Sequence, residues 1–345
     1  MKISTLIVDQ YGSYVGRHSE RLRVTRKRKV IVEAPVRFLE QVLISGKAIS
    51  MSTDALALCA GQGIPVYYLS WQGTPYAALY AAGLNGTVRT RRAQYAAYAD
   101  ARGIAVAAAF TRGKVQNQSR LLKYWAKSRK EKSPEIYRAL RQAAQATRKP
   151  LSGLPAWERA AAAQGLEQVR AQLLSTEGRA ARQYWQGVRA IVPPELAWPG
   201  RRGRGARDPL NSALNYGYGV LYGQIERAIL LAGLDPYAGY IHVDRPGKPS
   251  LVLDLIEEFR APVVDRVILG ILGRGTALQQ DAAGWLTRKT RRTIAEQVLH
   301  RLEESTERYE RKRQKLRWIV QMQARHLATY LRGDRPAYLP FLSGW

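Results

Sequence analysis

The sequence predicts an α+β chain: a small N-terminal β-sandwich followed by a larger, all-helical domain. Three observations carry this. Short runs of β-branched and aromatic residues crowd the N-terminal part, split by charged and Gly-containing breaks. Near Leu84 to Thr87 the composition turns to Ala, Arg, Gln and Leu at helical spacing. From there Gly and Pro separate long helical segments, as in KPLSGLP and GLDPYAGY. The predicted division is 1–82 and 83–345, and no internal repeat is visible.

The elements follow in order. STLIVD, SYVGR, RLRVTR, KVIVEA and QVLIS read as strands. TDALALCAGQG reads as one helix, capped by Ser52 or Thr53 and ended near Gly61 or Gly63. IPVYYLSW and TPYAALY return to the strand pattern. Val30, Val32, Val66, Tyr67 and Tyr68 give these strands material for a sandwich core. Beyond the boundary, GLEQVRAQLLSTEGRAARQYWQGVRAI predicts a helix ending before Pro193. DPLNSALNYGYGVLYGQIERAILLAGLDP predicts another, with Asp208 as cap, Pro209 in the first turn and Gly233 as stop. Inside it, Gly217 and Gly219 each cost about 1 kcal/mol relative to Ala, which points to close backbone approach. GYIHV is an extended or tight connector and PGKP a turn; Ser250 caps a helix from Leu251, and Pro262 suits the first turn of the next. RLEESTERYERKRQKLR mixes charge signs and reads as an exposed helix with i, i+4 pairs.

Charge bounds the function. Lys and Arg number 55 against 27 Asp and Glu, a net charge of +28. An excess of that size favours a polyanionic partner, nucleic acid first, over a merely basic soluble protein. One cysteine, Cys59, excludes an internal disulfide framework and a cysteine-based zinc site; its apolar helical context reads as a small buried residue. No stretch has the length of a membrane span or the apolar core of a signal peptide, so a cytoplasmic setting is the expectation.

In so basic a chain the acids need explaining. On a helical wheel Leu251, Val252, Leu255, Ile256 and Phe259 share one face, and Asp254, Glu257 and Glu258 the other. That arc is either a solvated polar face or an acidic site. Glu177 falls in an apolar stripe with Leu166, Val169, Leu173, Ala180, Ala181, Tyr184 and Val188. A buried carboxylate there needs an arginine partner or a metal. Asn211, Asn215, Gly219 and Tyr222 recur at helical steps, as close packing or as the wall of a site. Two basic stretches stand out. RGKVQNQSRLLKYWAKSRKEKSPEIYRALRQ interleaves Tyr124 and Trp125 with cations. The loop from Pro199 to Asp208 carries Arg201, Arg202, Arg204 and Arg207, placed to grip phosphates. TRKTRRTIAEQ is a weaker candidate. Of the other histidines, His18 reads as surface, His300 lies in a charged helix, and His326 packs or touches DNA.

TEGRAARQYW, RDPLNSALNYGYGVLY and GYIHVDRPGKPSLVLDLIEEFRAPVVDR, in this order and spacing, resemble the CRISPR-associated adaptation endonuclease/integrase family, Cas1. So does the layout of a β domain before a helical one. The resemblance implies a metal-dependent DNA nuclease and integrase that inserts short foreign-derived DNA at a CRISPR repeat. It implies Glu177, His242 and Glu257 as metal ligands, with Asp254 as an outer or alternative ligand and Glu258 as a supporting acid. Many members carry Asp where Glu257 stands. Two carboxylates and an imidazole suit Mg²⁺ or Mn²⁺ rather than a closed zinc site. The resemblance further implies a homodimer bridged by a dimer of a second small adaptation protein. The charge and place of the loop add Arg201, Arg202, Arg204 and Arg207 as DNA contacts, with Asn215 and Tyr222 of the next helix as the wall beside them. Two rivals use the same residues: a structure-specific repair nuclease, and a non-catalytic nucleic-acid scaffold in which the acids pair with arginines.

Overall fold

The computed structural model describes residues 4–80, 88–154, 165–203 and 205–345. Two sheets form the N-terminal part. The first joins β1 (Thr5–Val8), β5 (Gln41–Ser45), β7 (Val66–Leu69) and β8 (Pro75–Leu79); the first three run parallel and β8 returns antiparallel. The second is an antiparallel meander of β4 (Lys29–Pro35), β3 (Arg21–Arg26) and β2 (Ser13–His18), with the short β6 (Ser50–Met51) alongside β2. Helix α1 (Thr53–Gly61) joins them, capped by the Ser52 hydroxyl, which accepts from the Ala55 N–H at 3.2 Å.

Strand alternation explains how these sheets serve two cores. Val42, Ile44 and Val66 point into a β-domain core with Val15, Leu22, Val24, Leu58 and Cys59. Leu43, Tyr67 and Leu69, from the same strands, point the other way into the helical core. Burial pushes the Cys59 thiol up to about 11, as expected of a small packing residue. The division expected at residue 82 falls within 81–87, outside the described residues.

The helical part runs α2 (Val88–Ala97), α3 (Ala101–Lys127), α4 (Pro134–Arg148), α5 (Leu166–Arg189) and α6 (Pro209–Leu231). A broken segment follows, α7 (Ser250–Leu255), α8 (Glu257–Phe259) and a wider turn at Arg260–Asp265, before α9 (Arg266–Gly273). Then come α10 (Arg288–Glu304), the hairpin β9 (Thr306–Tyr309) and β10 (Lys312–Lys315), and α11 (Leu316–Leu331). Asp208 caps α6 by accepting from the Asn211 N–H at 2.9 Å, and Gly233 follows its end at φ 78°. Among the described residues no helix is long and apolar enough to cross a membrane.

Gly217 and Gly219 are close-approach positions. A Cβ on Gly219 would lie 1.6 Å from the Gly73 carbonyl oxygen, and one on Gly217 would lie 2.6 Å from Val264 Cγ1. The β7–β8 turn therefore sits directly on α6. Trp71 stacks edge-on against Trp285 beside it, and the Tyr216 hydroxyl lies 3.0 Å from the Ser45 hydroxyl.

Three sequence expectations are corrected. RLEESTERYERKRQKLR is not one exposed helix: α10 stops at Glu304 and a hairpin follows. Burial alternates there, with Glu307 and Tyr309 inward; the Tyr309 hydroxyl donates to Gln323 Oε1 at 2.7 Å. These distant partners outweigh local helix propensity, and Glu310 and Arg311 turn the chain at positive φ. Ser250 is the first residue of α7 rather than its cap, its hydroxyl donating to the Val243 carbonyl at 3.3 Å. Pro262 lies inside the wide turn rather than opening a helix.

Candidate functional site

Three helices bring charged side chains to one point. Lys114 comes from α3, Glu177 from α5 and Glu257 from α8. The Lys114 ammonium donates to Glu177 Oε1 and lies 2.9 Å from Glu257 Oε2. Exposure is 14% for the Lys114 and Glu177 side chains and 3% for Glu257. Arg260 Nη1 stands 3.4 Å from Glu257 Oε1. Two carboxylates thus meet two cations in a largely buried space. Burial penalises the Glu257 carboxylate, but Arg260 and Lys114 outweigh that and hold its pKa below the usual range. Burial likewise opposes the Lys114 charge, yet the two carboxylates keep its pKa above the ordinary value.

The partner of Glu177 is therefore a lysine, where the sequence alternatives were an arginine or a metal. Glu177 Oε2 is buried without a hydrogen-bond partner, and Glu257 Oε2 faces Lys114 outside hydrogen-bonding geometry. These oxygens are the donors a hard divalent cation prefers, so the pair fits such an ion. Among the described residues no three His, Cys, Asp or Glu side chains converge closely enough to hold one as they stand.

Asp254 is spent on the backbone and on His242. Its Oδ2 accepts from the N–H groups of Tyr240 at 2.6 Å and Ile241 at 3.0 Å, and its Oδ1 from that of His242 at 3.0 Å. Oδ1 also lies 2.7 Å from His242 Nδ1. A carboxylate only accepts, so Nδ1 donates a ring proton to Asp254 and Nε2 is the ring nitrogen turned away from it. This is how a carboxylate orients a metal-binding imidazole.

The acidic arc is neither a solvated face nor a patch. Asp254, Glu257 and Glu258 are all buried, and each looks toward a different partner. Glu258 accepts from the Tyr338 hydroxyl at 2.6 Å, Gln323 Nε2 at 2.7 Å and the Phe341 N–H at 2.8 Å. Burial pushes its pKa up to about 7. The amphipathic wheel failed because the segment is enclosed on every side, its polar arc by α3 and the C-terminal tail.

The loop and the Asn/Tyr helix form one wall. Arg201 donates to Asn215 Oδ1 at 2.8 Å and Asn211 Oδ1 at 3.2 Å, and its guanidinium lies over Trp185 and Tyr218. Arg202 is exposed, and Arg207 covers the Trp285 ring at 3.7 Å. Arg204 lies outside the described residues. Arg201, Asn215, Tyr218, Tyr222, Arg260, Trp71 and Trp285 line a cavity of about 440 Å³ between the β7–β8 turn and α6. Its aromatic and cationic walls match the needs of an unstacked base and its phosphate.

Sequence reading missed Lys114, Asn117 and Asp265. Lys114 and Asn117 sit in the stretch taken as a basic surface, yet Asn117 is buried and donates at 2.8 Å to the carbonyls of Glu258 and Phe341. The available signal was spacing: Lys114 and Asn117 fall at helical steps between the apolar Phe110 and Leu121. Asp265 accepts from the hydroxyls of Tyr184, at 2.7 Å, and Tyr218, at 2.5 Å, and burial raises it to about 6. It ties α5 and α6 to the wide turn. His18 is exposed, and His326 packs with its Nδ1 2.8 Å from the Tyr309 hydroxyl.

Comparison with known proteins agrees with this fold. The sequence profile of the CRISPR associated protein Cas1 matches residues 6–300. Over 351 residues the chain is 36% identical to the CRISPR-associated endonuclease Cas1 1 of Archaeoglobus fulgidus, covering 99% of each. The backbone resembles a casposase bound to an integration product, with a TM-score of 0.79 at 22% identity over 98% of this chain and 93% of that one. It also resembles a chain of a Cas6-RT-Cas1–Cas2 complex, with a TM-score of 0.72 at 18% identity over 99% of this chain and 36% of that one. The two structural likenesses speak for the fold; the profile and the full-length relative settle the kinship. The chain belongs to the Cas1 family of CRISPR-associated endonucleases.

Proposed function

We propose that this protein is a metal-dependent DNA endonuclease and integrase of CRISPR adaptation. It inserts short foreign-derived DNA at a CRISPR repeat by transesterification, with a DNA 3′-hydroxyl as nucleophile. The observation that carries the reading is the meeting of Glu177 and Glu257, from separate helices, around one largely buried cation. Glu177, Glu257 and His242 Nε2 would hold Mg²⁺ or Mn²⁺. When bound, the ion supplies Lewis-acid polarisation of a phosphodiester oxygen.

The chain's own groups do the rest. Asp254 fixes the His242 ring. Arg260 offsets the charge of Glu257 and lines the cavity beside it, where a phosphate would sit. Arg201, Asn215 and Tyr222 line that cavity, and Arg202 and Arg207 lie in the same loop as further contacts for the DNA backbone. Arg204, outside the described residues, is assigned the same role from its charge alone. The net charge of +28 suits a partner held mainly through phosphates.

The assembly follows the same reading. The β domain, 1–82, offers a surface for a homodimer, and a dimer of a small second adaptation protein joins two such pairs. The neighbour bound to an integration product and the one in a Cas1–Cas2 complex support DNA and such a partner. A non-catalytic scaffold accounts for the Lys114 pairing but leaves the oriented His242 without a purpose. The test measures cleavage of branched DNA and half-site and full-site integration, with Mg²⁺ or Mn²⁺, with and without the partner. Alanine at Glu177, His242 or Glu257 is expected to abolish both activities in a folded protein. Full activity in any one of these variants would remove that residue from the site.

A further inference from the structure

Lys114 is the cation that no functional assignment uses. It arises from α3, apart from the helices carrying the acids, and reaches both carboxylates at once. With Arg260 it brings the cluster of Glu177, Glu257 and two cations to neutrality. Adding a divalent cation to that cluster would leave two uncompensated positive charges in a largely buried space. Like charges at such separations repel strongly, so addition is disfavoured and exchange is the route left open. The Lys114 stem has four rotatable carbons and a single point charge, which suits it to leave.

We propose that Lys114 is an internal counter-ion of the site. Its ammonium holds Glu177 and Glu257 in register before the divalent cation arrives, and yields its place to that cation. The inference rests on the reading of Glu177 and Glu257 as metal donors. It adds a consequence: the chain gives up metal affinity to keep two carboxylates, one buried and one nearly so, together in the metal-free protein. Glu177 Oε2, buried without a hydrogen-bond partner, is the atom left ready for the exchange. Displaced Lys114 leaves a site bearing net charge +1 with the metal and Arg260 in place, which favours an incoming phosphate.

The test uses the full chain and Mn²⁺ alone, with no DNA. Manganese affinity is measured by electron paramagnetic resonance and calorimetry, and melting temperature in chelator against excess Mn²⁺. Lys114→Met removes the charge at similar volume. It is expected to melt lower in chelator, bind Mn²⁺ about tenfold tighter and gain more from Mn²⁺ than wild type does. Lys114→Arg keeps the charge in a group able to grip both carboxylates. It is expected to fold and to bind Mn²⁺ more weakly than wild type, so the proposal stays testable if Lys114→Met fails to fold. Glu177→Gln separates the two levels. Loss of Mn²⁺ binding in Glu177→Gln, with both Lys114 variants binding as wild type does, overturns the counter-ion role and leaves the metal reading standing. Wild-type binding that is absent, or untouched by Glu177→Gln, sinks the metal reading and this inference with it.

Discussion

Glu257 and Glu258 are adjacent, both buried, and opposite in character. Glu257 faces Lys114 and Arg260 and stays ionised well into the acid range. Glu258 faces a phenol, an amide and a backbone N–H, and its pKa rises to about 7. Burial raises both; only the company differs. Charged neighbours make the first a potential ligand, while neutral donors make the second a clamp on the tail from Tyr338 to Trp345. A carboxylate's burial therefore says nothing about its role until its partners are named.

The comparison breaks most sharply by deletion of each side chain. Glu257→Ala is expected to cut Mn²⁺-dependent DNA cleavage by more than about 100-fold, because it removes a donor and leaves two cations facing each other. Glu258→Ala is expected to cost about 3 kcal/mol of stability in urea melts. It should also free the C-terminal tail to hydrogen exchange, as Glu258→Gln does only in part. Asp254→Ala should lower Mn²⁺ affinity by about 10- to 100-fold, since His242 loses its orienting partner. Equal losses of affinity from Asp254→Ala and Glu258→Ala would erase the distinction between a ligand-orienting acid and a clamp.

Acidity sharpens the contrast. Glu258 has a folded pKa near 7 against an ordinary 4.5. Its neutral form is the one the fold prefers, so its contribution is full below about pH 4.5 and is lost as pH rises toward 7. Glu257 has the reverse sign: its contribution holds above the ordinary value of 4.5 and is lost as pH falls below it. Stability of wild type should therefore fall from pH 4.5 to 7 relative to Glu258→Gln, measured by urea midpoints across that range. Parallel curves would show that Glu258 does not titrate there.

The smallest effect is expected at the loop. Arg201 is already tied to Asn211 and Asn215, whereas Arg202 is exposed. Arg202→Ala should weaken DNA binding equally for all sequences and flatten the salt slope by about 0.9. An unchanged slope would make Arg202 a bystander.

Much of this was legible because it rests on local chemistry. Strand alternation announced the β sheets, and Asp208 and Gly233 marked the ends of α6. The three motifs pointed to Glu177, His242 and Glu257, with Asp254 as an outer or alternative ligand, before any contact was known. Lys114 was hidden among cations that a basic chain displays everywhere; only the packing of α3 against α5 and α8 separates it from its neighbours. Glu258 was hidden for a different reason. Its partners Gln323, Tyr338 and Phe341 lie far along the chain, and helical periodicity carries no information about them. The hairpin at Thr306–Lys315 failed likewise, since Tyr309 and Glu307 are drawn inward by α11 and the tail.

The contact between Gly73 and Gly219 has a mechanical consequence. Where a backbone carbonyl leaves no room for a single methyl group, the β7–β8 turn and α6 meet backbone to backbone, with no side chain between them to yield. Force applied to the sheets reaches α6, and the cavity wall it carries, without a cushion of side chains to absorb it. Two such molecules coupled through their sheets would behave as stiff arms rather than hinged ones, and the span between their tips would be set by backbone geometry instead of by thermal drift.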